Sequence, residues 1–279
     1  MTKVPVQVER LPGGVTNHNY VLKSNGEKLV IRVAGVGTDD YINRKAEMQN
    51  AKAMSDAGIG PKIYFCEPET GFMVSEFVEG KTMTAEVLKE NEKLLQAIVK
   101  VLRKCHTSDA MFANDFSPVR RIQQNIAILE RKQAIPYYEE WKVVYAEFQR
   151  LAENMKTQRR ELVPCHNDTL AGNFLGDEKC MRMIDWEYSG NNDLYYDLAT
   201  FSMENELNEE EEKKFLDYYF EERQFEEKRF LENKFLTSFY WSVWSLLQIG
   251  YGKEKEFYYP YGEKRFDAAK TAWHRLEEV

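Results

Sequence analysis

Residues 165–197, CHNDTLAGNFLGDEKCMRMIDWEYSGNNDLYYD, constrain this chain more than any other stretch. His166, Asp168 and Asn173 have the spacing H-x-D-x-x-x-x-N, and Asp185 follows twelve residues after Asn173, at the end of the apolar run 181–184. The pattern has a mechanical logic in phosphoryl transfer. A short loop carries an Asp to the acceptor hydroxyl and an Asn to a metal ion, and a hairpin returns a second carboxylate to the same ion. Gly176-Asp177 supplies the turn signal for that hairpin. From average residue usage, the loop spacing alone arises by chance in about one chain in a hundred. Asp185 at the strand end therefore carries the reading, and the competing one is a surface loop whose polar residues cap helix ends.

Upstream, the chain reads as strands. Runs 20–23 and 28–33 flank Ser24-Asn25-Gly26-Glu27, a strong hairpin signal. Just before them, Gly13-Gly14-Val15-Thr16-Asn17 is either a loop whose N–H groups approach phosphate, with Thr16 and Asn17 at its end, or an ordinary tight turn. Arg32 lies in the second strand, LVIRV, where a cation could hold nucleotide phosphates. A helix is expected from Asp39 or Asp40 to about Ala57, stopped by Gly58-Ile59-Gly60-Pro61, with Glu47 as candidate partner for Arg32. Strands 62–66 and 71–77 follow. The stretch from Glu76 through Val78 to Gly80 is the expected hinge, whose backbone would meet an adenine edge.

Beyond Lys81 the pattern is helical. Residues 84–106 show one amphipathic face of Val87, Leu88, Leu94, Leu95, Ile98 and Leu102. Helices are also expected at 118–132, at 137–157 and near the C-terminus at about 262–278, with a strand at 161–164. Arg159-Arg160 is a solvated basic pair or a phosphate contact. Asn208 with Glu211 marks a helix start, and the acidic run 209–212 suits its first turn. Residues 235–252 carry no formal charge, but their Thr, Ser and Gln suit a buried helix rather than a membrane span.

The run CHNDTLAGN…IDWEYSG resembles the choline/ethanolamine kinase branch of the aminoglycoside-phosphotransferase-like kinases, nearest to the bacterial choline kinases of phosphorylcholine decoration, and the likeness extends over nearly the whole chain. It implies an α+β, two-lobed protein kinase-like fold: a small antiparallel β lobe over 1–78 that binds nucleotide, and a larger, mostly helical lobe over 79–279 that carries catalysis and acceptor binding. By this resemblance Asp168 is the catalytic base, Asn173 and Asp185 hold Mg2+, and Arg32, steadied by Glu47, binds ATP. Arg32 stands where protein kinases carry lysine, and Leu170 where animal choline kinases carry glutamine. Asp197 matches an aspartate that braces the catalytic loop. Glu204, Trp241, Trp244 and Tyr261 match the choline pocket, although by spacing alone such an aromatic stripe is core or cage.

Composition narrows the partners. A net charge of −8 is a poor footprint for nucleic acid and compatible with a small cationic alcohol. Cys66, Cys105, Cys165 and Cys180 lack C-x-x-C spacing, which favours reduced thiols. The N-terminus lacks an apolar signal core, so a cytoplasmic protein is expected. The expected activity is Mg-ATP-dependent phosphorylation of choline. The alternatives are a kinase for ethanolamine, thiamine or an aminoglycoside, among which fold analogy cannot choose, and a catalytically inactive ligand-binding module.

Overall fold

The computed structural model describes residues 6–12, 17–35, 42–132 and 137–279. The chain passes repeatedly between two compact units: Met1–Asp115 with Pro164–Asn191, and Phe116–Val163 with Asn192–Val279. Residue 78, where the sequence suggested a lobe boundary, follows the last strand of a five-stranded sheet and lies inside the first unit.

In that unit, β1 (Gln7–Arg10), β2 (Asn17–Ser24), β3 (Glu27–Ala34), β4 (Ile63–Glu67) and β5 (Phe72–Glu76) form an antiparallel sheet of order β1-β2-β3-β5-β4. Asn25 and Gly26 both have positive φ, 50° and 80°, as a two-residue turn matched to strand twist requires. The register then sets Arg32 on the central strand, opposite Asn19 and Met73. Helix α1 (Arg44–Asp56) begins later than Asp39 or Asp40. Asn43 caps it, its Oδ1 accepting the Ala46 N–H at 3.1 Å, and residues 36–41 lie outside the described residues.

The single helix expected over 84–106 is two: α2 (Ala85–Glu90) and α3 (Glu92–His106). Asn91 leaves the helical region and its Oδ1 accepts the Lys93 and Leu94 N–H groups, so a local side-chain cap prevails over continued helix. Leu88, Leu94, Leu95, Ile98 and Leu102 are buried as the periodicity implied, but Val87, on the short α2, is exposed.

Strand β6 (Lys81–Thr82) precedes β7 (Val163–Cys165), β8 (Phe174–Gly176), β9 (Met181–Met183) and β10 (Gly190–Asn192) in the chain, and β6, β8 and β9 form one antiparallel sheet. The chain entering β6 passes close to β8 at two glycines. A Cβ on Gly80 would stand 2.7 Å from the Gly176 Cα, and both residues have φ near the mirror-β region, 135° and 140°.

The second unit contains α4 (Pro118–Lys132), α5 (Trp141–Met155), α6 (Leu194–Glu204), α7 (Glu209–Phe220), α8 (Glu227–Gly250) and α9 (Lys255–Glu277). Helix α8 packs against α4, α6 and α9. It begins eight residues before the uncharged run, and its residues from Phe230 to Leu247 are almost all buried. Two of its hydroxyls find partners inside: Thr237 meets Thr200 at 2.7 Å, and Ser242 donates to the Phe239 carbonyl at 2.8 Å. No helix among the described residues is long and apolar enough to cross a membrane.

Helix α7 has both halves of the capping box, Glu211 N–H to Asn208 Oδ1 at 3.0 Å and Asn208 N–H to Glu211 Oε2 at 2.9 Å. Helix α9 starts at Lys255 rather than near 262 and contains Pro260. Arg160 is no solvated residue. It donates to Asp193 Oδ2 at 3.2 Å and pairs with Glu232, while Asp193 Oδ1 caps α6 through the Tyr195 N–H at 3.0 Å. A carboxylate that caps a buried helix needs a countercharge, and Arg160 and Arg229 provide it.

Candidate active site

The loop between β7 and β8 is held by its own polar residues. His166 is fully buried; its Nε2 donates to the Ile184 carbonyl at 2.8 Å and its ring lies 4.7 Å from Trp186. That bond ties the loop to the strand end that carries Asp185. Asn167 adopts φ 65°, a left-handed conformation that asparagine tolerates better than most residues, and its Nδ2 donates to the Tyr188 carbonyl at 3.0 Å and to the Gly190 carbonyl at 3.3 Å. The turn so fixed presents Asp168. Asn173 Nδ2 donates to the Asp168 carbonyl at 2.8 Å and to Asp168 Oδ2 at 3.2 Å, which brings the expected base and one expected metal ligand together.

Asp185 also has a left-handed backbone, φ 64°, and its Oδ1 is buried with no hydrogen-bond partner among the described residues. Glu47, Asp185 and Glu187 each offer one oxygen within 4.8 Å of the others. Arg32 pairs with Glu47, so the helix α1 carboxylate meets the β3 guanidinium. Arg44 Nη1 lies 2.8 Å from Glu47 Oε2 and 2.9 Å from Glu187 Oε1, and Asn17 Nδ2 donates to Glu187 Oε1 at 2.6 Å.

Three carboxylates thus face two guanidiniums. Burial first, then Glu187 and Glu47, push the Asp185 carboxyl up to about 8, against the opposing pull of Arg32 and Arg44. Arg44 is held above the usual guanidinium value, because Glu47 and Glu187 outweigh the burial that works against its charge. An all-oxygen donor set with a buried, unpartnered carboxylate oxygen fits a hard divalent cation.

Asn17 has its amide nitrogen engaged by Glu187, and Thr16 lies outside the described residues. Glu76 ends β5 with its N–H donated to the Lys62 carbonyl at 2.9 Å, and Val78 is half-buried in the extended stretch that follows.

In the second unit, Trp241 and Trp244 on α8 meet edge to face at 5.4 Å, and Trp244 meets Tyr261 of α9 at 6.3 Å. Both tryptophans are buried. Glu204, the last residue of α6, accepts the Tyr261 hydroxyl at 3.1 Å and two Arg265 bonds, from Nη2 at 2.6 Å and Nε at 3.3 Å. The Arg265 guanidinium also lies 3.7 Å over the Tyr261 ring. The four expected acceptor residues therefore form one cluster in which the carboxylate is already paired.

Sequence reading assigned no role to Glu187, Arg44, Asn167 or Arg265. Glu187 stands two residues after Asp185, and that i, i+2 spacing was the available signal. Arg44 precedes Glu47 by three on a helix, an ordinary surface pairing until Glu187 joins it.

The chain matches the choline/ethanolamine kinase family over residues 8–270. It is 28% identical over 277 residues to the protein LicA of Haemophilus influenzae, covering 95% of this chain and 100% of that one. Ethanolamine kinase 2 of Homo sapiens is 25% identical over 275 residues, covering 88% of this chain and 70% of the relative. The crystal structure of choline kinase LicA from Streptococcus pneumoniae superposes with a TM-score of 0.81 at 27% identity, covering 100% of this chain and 95% of that one. With the family matched along nearly its whole length and a kinase fold beneath it, this chain belongs to the choline/ethanolamine kinases, ATP-dependent phosphotransferases with an alcohol as acceptor.

Proposed function

We propose that the chain transfers the γ-phosphoryl group of Mg-ATP to the hydroxyl of choline. The observation that supports this acceptor is the contiguous cluster of Trp241, Trp244 and Tyr261, in which Glu204 has both oxygens engaged by Tyr261 and Arg265. A quaternary ammonium has no N–H to donate, so it is recognised by ring faces, each contributing about 0.5–2 kcal/mol when desolvated. A primary ammonium needs free acceptors. LicA of Streptococcus pneumoniae, similar over its length, is a choline kinase.

In the reaction the choline oxygen attacks the γ-phosphorus and the bond from that phosphorus to the bridging oxygen of ADP breaks. Asp168 orients the hydroxyl and takes its proton late in the transfer. The Asn173 amide holds the Asp168 carboxylate in place for this. Arg32, aligned by Glu47, neutralises nucleotide phosphates. Magnesium, when bound, supplies charge neutralisation on the phosphates; Asn173 and Asp185 are its proposed ligands, with Glu187 as a further one. Thr16 and Asn17 border the proposed phosphate loop, and the main chain at Glu76 and Val78 is proposed for the adenine edge.

A panel of choline, ethanolamine, thiamine and kanamycin with Mg-ATP, read by ADP release, tests the assignment. Choline should give the highest kcat/KM. Higher kcat/KM for ethanolamine moves the acceptor to that amine, and no ADP release with any of the four leaves a ligand-binding module.

A further inference from the structure

Arg44 takes part in no step described above, yet it is 7% exposed and sits at the centre of the charged cluster. Both bonds that it makes to the carboxylates come from one nitrogen, Nη1, which lies 2.8 Å from Glu47 Oε2 and 2.9 Å from Glu187 Oε1. A guanidinium nitrogen of this kind has two hydrogens, and both are used. The order of contacts is therefore Arg32, Glu47, Arg44, Glu187, Asn17, with alternating charge ending on an amide.

The stem of Arg44 is fixed as well. Gly71 has φ 70°, and a Cβ there would stand 3.3 Å from Arg44 Cδ and 2.8 Å from the Ala34 Cβ. A side chain at position 71 would crowd the stem of Arg44.

We propose that Arg44 is a positioning residue that acts as a built-in counter-cation to the Glu47, Asp185 and Glu187 cluster, weakening its hold on a bare divalent ion so that the ion is retained only with its polyphosphate. This rests on the metal assignment proposed above. Among the described residues two guanidiniums stand against three carboxylates, so the carboxylate left without a paired cation is Asp185, whose Oδ1 has no partner among them and which carries the one uncompensated charge once ionised. A divalent ion placed there gains attraction from one net charge and is repelled by the nearby Arg44. Phosphate oxygens arriving with the ion add the missing negative charge. Without Arg44, two uncompensated carboxylates, Asp185 and Glu187, would hold the ion whether or not nucleotide came with it.

The test is a titration of the full-length, nucleotide-free protein with Mn2+, followed by electron paramagnetic resonance of the free ion, with folding checked by circular dichroism. Arg44→Gln, which keeps a donor but removes the charge, should bind Mn2+ about tenfold or more tightly than wild type. Arg44→Lys, which keeps the charge but not the planar guanidinium, should bind within about threefold of wild type. Unchanged or weaker Mn2+ binding by Arg44→Gln overturns the proposal. If Arg44→Gln does not fold, a loss of tenfold or more in Arg44→Lys does so instead, because it makes the role one of shape rather than charge. The wild-type titration by itself tests the metal assignment, and the ratio of variant to wild type tests Arg44.

Discussion

The proposed base, Asp168, must have its carboxylate aimed, and the Asn173 amide donates to it at 3.2 Å. A positioned base contributes about 10²–10⁴-fold, so Asp168→Asn should lower kcat by at least about 10²-fold and leave the KM for ATP nearly unchanged in steady-state assays. Retained turnover removes Asp168 from the chemistry.

Asp185 makes a separate, non-kinetic prediction. Its carboxyl titrates near about 8 when folded, against about 3.9 in an unfolded chain. The folded state then binds the proton more tightly. The stability this group contributes is present below the unfolded value and is lost as pH rises through the folded one. Asp185→Asn cannot ionise, so in the absence of metal it should raise Tm above wild type at about pH 8.5. With nucleotide present, Mg2+ should further raise the Tm of wild type and not of this variant. Equal Mg2+ shifts in the two proteins remove Asp185 from the ligand set.

At the scale of elements, the site depends on where α1 begins. Asn43 starts the helix one residue before Arg44, and the first turn carries both Arg44 and Glu47. Loss of an N-cap costs about 0.5–2 kcal/mol. Asn43→Ala should therefore destabilise the protein by about 1 kcal/mol in urea unfolding and raise the KM for ATP, because fraying loosens Glu47 from Arg32. A normal KM with the stability loss present would mean that the ion pair holds the turn without its cap. Asn91 shows the same local chemistry dividing one expected helix into two. Its cap was legible as a residue type, but the helical periodicity on either side concealed it.

At the scale of the molecule, the chain crosses between its units at residues 115, 163 and 191, so neither unit is a contiguous piece. Strand β6 has its partner β8 in the later segment, and α3 packs on β9. A fragment of residues 1–115 should accordingly lack a cooperative unfolding transition by circular dichroism in urea, since buried residues such as Ile98 and Leu102 lose cover and β6 loses its ladder. A sharp transition in that fragment would show that the sheet and first helices suffice.

The sequence by itself determined what depends on neighbours along the chain: the Asn25-Gly26 hairpin, the capping box of α7, the buried face of α3, and a base, an amide and a carboxylate at spacings that a loop and hairpin can bring together. Tertiary structure decided what depends on charges far apart in sequence. Arg44 and Glu187 are 143 positions apart, Asn17 and Glu187 170 apart, and Arg160 and Glu232 72 apart. Each charged residue is an ordinary surface residue until folding removes its water, and burial then requires a partner that periodicity and propensity do not encode. The same reason separates Glu204 as read from the sequence, a carboxylate beside a cation pocket, from Glu204 as folded, a carboxylate already held by Tyr261 and Arg265.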